Sequence, residues 1–142
     1  MSTVTSRYPV AASGGELARR TAAGVVVAIV AALVARTLAG ALGLSLGVSG
    51  PASPFGTMPI ATSTVVAGIG AAVAYAALVR LTERPVRNFT VLSTAVFVAM
   101  LVPVFVAAPS LGLTAVGQAT LVAIHAVVAV PLVAFVVGAV GL

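Results

Sequence analysis

The chain alternates between long apolar stretches and short breaks rich in polar residues, glycine and proline. Valine and alanine dominate the apolar stretches, which cover residues of about 20–43, 60–82, 88–108 and 114–140. Each stretch reaches the roughly 20 residues that a helix needs to cross the hydrocarbon core of a bilayer. A spanning segment must satisfy its backbone hydrogen bonds internally, and these stretches lack the alternation typical of barrel strands. The pattern therefore predicts an all-α fold, an integral membrane four-helix bundle.

The breaks divide the chain into a tail and one transmembrane domain. Residues 1–16 are small and polar and predict a flexible cytoplasmic tail, whereas residues 17–142 hold the four spans. Glycine, serine and proline between residues 47 and 59 predict an uncharged loop. We expect Phe55 and Met58 to rest this loop on the membrane surface.

The second break lies at Arg84-Pro85. Proline disfavours a helical conformation in the residue before it, so we expect the second helix to end here. Asn88 is a favourable N-cap, from which the third helix is expected to begin.

Charged residues are few and concentrated in two places. The chain contains seven arginines and two glutamates, with no lysine or aspartate. Apart from Arg7 in the tail and Arg36, they form two clusters: Glu16, Arg19 and Arg20; and Arg80, Glu83, Arg84 and Arg87. Basic residues flanking membrane spans stay on the cytoplasmic side, which predicts a multi-pass protein of the cell membrane with both termini in the cytoplasm. We interpret five of them as topology and lipid anchors: Arg19, Arg20, Arg80, Arg84 and Arg87.

The first apolar stretch has an alternative interpretation. Arginines followed by an apolar run are also the order of a cleaved signal peptide. The run continues past Arg36 to about Leu46, which is long enough to span and favours a retained helix.

Composition excludes several classes of protein. The chain is 61% hydrophobic and only 6% charged, against about 25% charged residues in soluble domains. The net charge is +5. The arginines that produce it flank apolar segments and do not line one exposed face, which argues against nucleic acid as a partner. The absence of cysteine excludes disulfides and thiol catalysis.

Arg36 is the one arginine inside an apolar stretch. It follows Thr21 by about 15 residues, or roughly 22 Å along a helix, which places it in the outer third of the membrane. Small residues recur every four positions on its side of the helix, namely Gly24, Ala28, Ala32 and Gly40. This spacing predicts that Arg36 points into the bundle. The alternative is that it extends outward to the interface.

His125 and Gln118 are further polar side chains within the spans. They are seven residues apart, so they lie on nearly the same face of the fourth helix. A histidine in a membrane serves as a hydrogen-bond donor between helices or as a proton relay. We expect the hydroxyl groups within the helices to bond to carbonyls of their own helix. Arg36, Gln118 and His125 together are the candidate intramembrane polar site.

Catalytic and metal-binding sets are missing from the sequence. One histidine, two glutamates and no cysteine cannot supply the three or four ligands of a metal site. We therefore expect no enzyme activity, no metal and no cofactor. A haem held by His125 from two copies of the chain is the remaining alternative.

Two short stretches resemble a known family. Residues 61–68, ATSTVVAG, and residues 84–89, RPVRNF, are similar to segments of a family of small uncharacterised membrane proteins of actinobacteria and haloarchaea. Ile124-His125 is similar to a Met-His pair of that family, and Pro103 also fits. The resemblance covers about residues 20–140 and implies a fold of four spans. It implies no activity, because the family is a domain of unknown function.

Two functional hypotheses follow from these features. The leading one is a non-enzymatic structural or accessory membrane protein that self-associates or docks on a larger complex, because small-residue packing faces outnumber chemical groups. The alternative is a small oligomeric transporter or channel, with Arg36, Gln118 and His125 lining a cavity in the outer half.

Overall fold

The computed structural model describes residues 8–142, which fold into four long helices. We label them α1 (Gly14–Ala41), α2 (Thr57–Leu81), α3 (Pro85–Val106) and α4 (Ala115–Val136), with a short 3-10 helix at Ala108–Leu111 before α4. The described part of the chain has no strand, and each long helix is long and apolar enough to cross a membrane. The prediction of an all-α, four-helix fold is confirmed. Residues 1–7, with Arg7 and the start of the predicted tail, lie outside the described residues.

The helices pack as a bundle in which each contacts its neighbours in the chain, and α4 returns to α1. The contact between α1 and α4 is the most extensive, and α2 also touches α4. On α1 the buried face includes Gly24, Ala28 and Ala32. A Cβ atom on Gly24 would lie 3.0 Å from the Cβ of Phe135, so only a small residue lets the two helices approach this closely. The predicted small-residue face is thus buried from Gly24 to Ala32, with Gly24 against α4, whereas Gly40 is exposed.

The outer surface of the bundle is apolar. Exposed large hydrophobic side chains occur on all four helices, for example Leu38, Val73, Val96 and Val130. Soluble monomers rarely expose contiguous apolar surface of this extent. Inside, Tyr75 and Phe89 stack edge to face with ring centroids 5.4 Å apart. Such a surface suits hydrocarbon as the surrounding solvent.

Helix α1 begins at Gly14, before the expected start near residue 17. Ser13 is its N-cap, and its hydroxyl accepts a hydrogen bond from the Glu16 backbone N–H at 3.1 Å. The Glu16 carboxylate in turn accepts one from the Ala12 backbone N–H at 2.8 Å. Part of the predicted tail is therefore helical, because local side chains satisfy the first N–H groups.

Helix α3 begins at Pro85, with Arg84 as its N-cap, and does not wait for Asn88. Proline suits the first helical position because its ring fixes the backbone angle φ and the missing N–H would have no partner there. The residue that was expected to end α2 therefore starts α3, and α2 ends at Leu81.

The loop that follows α1 is fastened to the start of α4. The Thr114 backbone N–H donates to the Leu46 carbonyl at 3.1 Å, and the Thr114 hydroxyl donates to the Ser45 carbonyl at 2.6 Å.

Phe55 is only 4% exposed and packs in the core with Ile60. The expectation that Phe55 rests on the membrane surface is wrong, since the anchored loop turns its ring inward. Met58 is 73% exposed.

Two glycines on α2 provide a matched test of this packing. A Cβ atom on Gly68 would collide with the Val25 side chain of α1, whereas one on Gly70 would meet nothing within 4 Å. We expect Gly68→Ala to lower the free energy of unfolding by about 1–3 kcal/mol, because a β-branched valine has little room to move. Gly70→Ala should leave it unchanged or raise it slightly. Denaturant unfolding in detergent measures both, and equal effects would contradict the α1–α2 contact.

Candidate functional site

Arg36 lies near the C-terminal end of α1 and emerges from the bundle. Gly24, Ala28 and Ala32 are buried, but Arg36, the next residue on that face, is exposed. Its Nη1 donates a hydrogen bond to the hydroxyl of Thr57, at 2.9 Å, in the first turn of α2. The guanidinium thus reaches outward at the end of the bundle and does not point into its centre.

A cavity of about 320 Å³ opens beside this guanidinium. Its walls come from the end of α1, the following loop and the N-cap of α2; they are Arg36, Gly40, Leu46, Val48, Ser49, Gly50, Ser53, Phe55 and Gly56. The Ser53 hydroxyl already accepts a hydrogen bond from the Phe55 backbone N–H at 3.3 Å. Arg36 is the single charged residue in the lining. The cavity is therefore a cleft with mostly apolar walls and one cation.

His125 is half-buried on α4 and bonds within its own helix. Its Nδ1 lies 2.7 Å from the Leu121 carbonyl oxygen. Because a carbonyl oxygen only accepts, Nδ1 is the donor of this hydrogen bond. The ring of His125 thus bonds to a carbonyl one turn earlier in the same helix.

Gln118 is half-buried near the start of α4, beside Gly117. Neither Gln118 nor His125 is among the residues that line the Arg36 cavity. Gly117 is buried against the Leu46 carbonyl, where a Cβ atom would collide. The start of α4 thus packs against the loop through Gly117. A functional role of Arg36, Gln118 and His125 stays a prediction.

Seven hydroxyl groups within the helices bond back to their own helix. In each case the acceptor is the carbonyl of the residue four positions earlier; the donors are Thr21, Thr37, Ser63, Thr64, Thr90, Thr94 and Thr120. The bonds measure 2.6–2.8 Å. The predicted local bonding is confirmed for these seven hydroxyls, whose polarity is tied to the helix that carries them. Thr62 and Ser93 also lie in the described helices but make no such bond.

The opposite end of α1 holds a second arginine in a different setting. Arg20 is 7% exposed. Its Nη1 donates to the Pro9 carbonyl at 2.8 Å, and its Nη2 forms a salt bridge with Glu16. A Cβ atom on Gly138 would lie 2.7 Å from Nη1, so the chain end that follows α4 closes over the guanidinium. Arg20 therefore ties the N-terminal segment, α1 and the end of α4 together.

The other four arginines of the predicted anchor set are exposed: Arg19, Arg80, Arg84 and Arg87. Arg20 differs because it is enclosed, which its place in the cluster did not indicate. The signal that could have found it is the spacing of Glu16 and Arg20, since residues four apart on a helix are neighbours. Nothing in the sequence marked Pro9 or Gly138 as its further contacts.

Glu16 lies in the first turn of α1, before the apolar part of the helix. The hydrogen bond from the Ala12 N–H lowers the pKa of Glu16, as do the charges of Arg20 and Arg19, while partial desolvation opposes them. A carboxylate whose pKa is lowered on folding stabilises the fold above its unfolded pKa and loses that contribution as pH falls.

This arrangement predicts an acid-sensitive stability. We expect the melting temperature of the detergent-solubilised protein to fall as pH drops below about 4.5, the unperturbed pKa of a glutamate. Glu16→Gln should melt lower at neutral pH and lose most of this acid dependence. Glu83→Gln removes the other, exposed glutamate and serves as the control. An acid dependence unchanged in Glu16→Gln would contradict the role of the Glu16–Arg20 pair.

Comparison with known proteins gives a family and no activity. A family model described as "Family of unknown function (DUF6069)" matches residues 12–141. No curated protein and no solved structure matches the chain. The predicted resemblance to a family of unknown function is confirmed, while its membrane character and its occurrence in actinobacteria and haloarchaea stay predictions. The match covers all four helices, and the chain therefore belongs to the DUF6069 family.

Proposed function

We propose that this chain is a small multi-pass membrane protein with a structural or accessory role and no catalytic activity. The observation that carries the proposal is the local bonding of the polar side chains inside the helices. Seven hydroxyl groups and His125 bond to carbonyls of their own helix. The hydrogen-bond donors of these side chains are used within their own helices, so few donors are left for a substrate or an anion.

The apolar outer surface supports a role in association. Helix α3 buries only Phe89 and Val104, so most of its surface is open to lipid or to another helix. In lipid, helices associate through van der Waals packing, because the hydrophobic effect does not act between them. A second copy of this chain or a subunit of a larger membrane complex is the partner that we propose.

The charges support an orientation. Arg19, Arg80, Arg84 and Arg87 lie exposed around one end of the bundle, where α1 begins and α2 meets α3. Basic residues at span ends favour the cytoplasmic side. We therefore propose that both termini are cytoplasmic and that the loop after α1 faces outward from the cell membrane.

The alternative of a transporter or channel has less support. It needs Arg36, Gln118 and His125 around one hydrated space, but the cavity at Arg36 is lined by α1, the following loop and the N-cap of α2. The ring of His125 instead forms a hydrogen bond with the Leu121 carbonyl of its own helix. A binding cleft at one end of the bundle is not by itself a pathway across it.

The orientation can be tested because the chain contains no cysteine. Single-cysteine variants at exposed positions, Ser49→Cys and Leu111→Cys on one side and Ala12→Cys and Val140→Cys on the other, report which side each faces. We expect a membrane-impermeant maleimide to label the first two in intact cells and the last two only after permeabilisation. The reverse labelling would invert the bundle, and labelling of all four in intact cells would contradict four spans.

The accessory role predicts association without transport. Purification in mild detergent should yield a stable oligomer or a co-purifying membrane partner, and liposomes containing the protein should pass no more ions or small solutes than empty ones. A monomer without partners would count against the proposal. Flux that His125→Ala or Arg36→Ala abolishes would favour the transporter instead, with Arg87→Ala as the control substitution.

A further inference from the structure

We propose that the cavity beside Arg36 binds a phosphate group, supplied by the headgroup of an anionic phospholipid. The cavity lies at the end of the bundle where α1 stops and α2 begins. In a spanning bundle this end lies at the level of the lipid headgroups. The inference goes beyond an accessory role and requires only that the helices cross a bilayer.

No acidic side chain of the chain lies near Arg36 to serve as its counter-ion. The only acidic side chains are Glu16 and Glu83. Glu16 pairs with Arg20; Glu16 itself lies twenty residues before Arg36, or about 30 Å along the helix at 1.5 Å per residue. Glu83 lies between α2 and α3, at the same end as Glu16. The exposed guanidinium of Arg36 is therefore left to water or to an anion from outside the protein.

The guanidinium of Arg36 has donors to spare. An arginine side chain carries five N–H donors in a planar fork that matches the oxygens of phosphate. Within the described residues, one of these donates to the hydroxyl of Thr57, in the first turn of α2. This bond orients the guanidinium, which also lines the cavity. The remaining donors are available to an anion.

The size and chemistry of the cavity suit a lipid headgroup. Its volume of about 320 Å³ is at the small end of ligand pockets, which span roughly 300–1,000 Å³. Leu46, Val48 and Phe55 supply apolar walls, and Ser49 contributes a hydroxyl. One cation above apolar walls suits a phosphate joined to glycerol and acyl chains better than a fully hydrated ion.

The walls of the cavity are held in place by hydrogen bonds and by core packing. The loop is bonded to α4 through the Leu46 and Ser45 carbonyls. Phe55 is buried in the core at 4% exposure. A site whose walls are fixed before binding loses less entropy when the ligand enters.

Thermal melting in a non-ionic maltoside detergent tests this proposal. Short-chain phosphatidylglycerol is titrated into the wild-type protein, Arg36→Gln and the exposed-arginine control Arg87→Gln. A ligand that binds only the folded state raises the melting temperature in a saturable way. We expect wild type and Arg87→Gln to show this rise at similar lipid concentrations. For Arg36→Gln the half-saturating concentration should increase about tenfold or more, because a charge-assisted hydrogen bond is lost.

A second variant separates binding from folding. Gly40 lines the cavity, and a Cβ atom there would meet nothing within 4 Å. Gly40→Leu keeps Arg36 and favours the helix, but it adds a bulky side chain at a residue that lines the cavity. We expect it to fold at least as well as wild type and to lose the lipid-dependent rise. A full rise in Gly40→Leu would overturn the assignment to this cavity.

A parallel titration with glycerol phosphate distinguishes the two sources of phosphate. If it raises the melting temperature as phosphatidylglycerol does, and Arg36→Gln abolishes the effect, the site binds phosphate without needing the acyl chains. If phosphatidylglycerol alone acts, the headgroup of a lipid is the ligand. No rise with either probe, or equal rises in all variants, would overturn the proposal. The readout is binding alone, so it is independent of the oligomer and flux tests of the accessory role.

Discussion

The close approach of α1 and α4 is the constraint on which the rest of the bundle depends. In hydrocarbon there is no hydrophobic effect to drive helices together, so contact area and short backbone distances must hold them. Gly24, Ala28 and Ala32 provide this on α1, and Gly117 seats the start of α4 against the Leu46 carbonyl. Once these contacts are made, the position of every polar group on α1 relative to the bundle is set.

One consequence is that α1 carries two arginines with opposite settings. Arg20 is enclosed at one end, with Glu16 and the Pro9 carbonyl as its partners. Arg36 is exposed at the other end, with the hydroxyl of Thr57 as its partner and a cavity beside it. The first arginine is neutralised within the protein and consolidates the fold. The second one has no acidic partner in the chain, so its guanidinium is open to an anion from outside.

The sequence predicted what depends on single segments and missed what depends on contacts between them. Length and apolarity were enough for four helices, and the four-residue spacing of Gly24, Ala28 and Ala32 predicted the packing face. The inward turn of Phe55 and the enclosure of Arg20 depend on residues distant in the chain, so no local pattern indicated them. The sequence pattern predicted that Arg36 lies on the inward face of α1. However, α1 ends soon after this residue, and the side chain of Arg36 lies beside the loop that follows α1.

Seven hydroxyl groups inside the helices bond to carbonyls of their own helix, and among the described residues the hydroxyl of Tyr75 is the one buried side-chain group without a hydrogen-bond partner. With so few buried polar groups left unpaired, we expect water to stay at the ends of the bundle. Hydrogen exchange in lipid nanodiscs, read by mass spectrometry, measures where water enters. We expect slow exchange in the middle of all four helices, including the amides around His125, and fast exchange in the residues between α2 and α3. Fast exchange along α4 around His125 would reveal water inside the bundle and would contradict a dry interior.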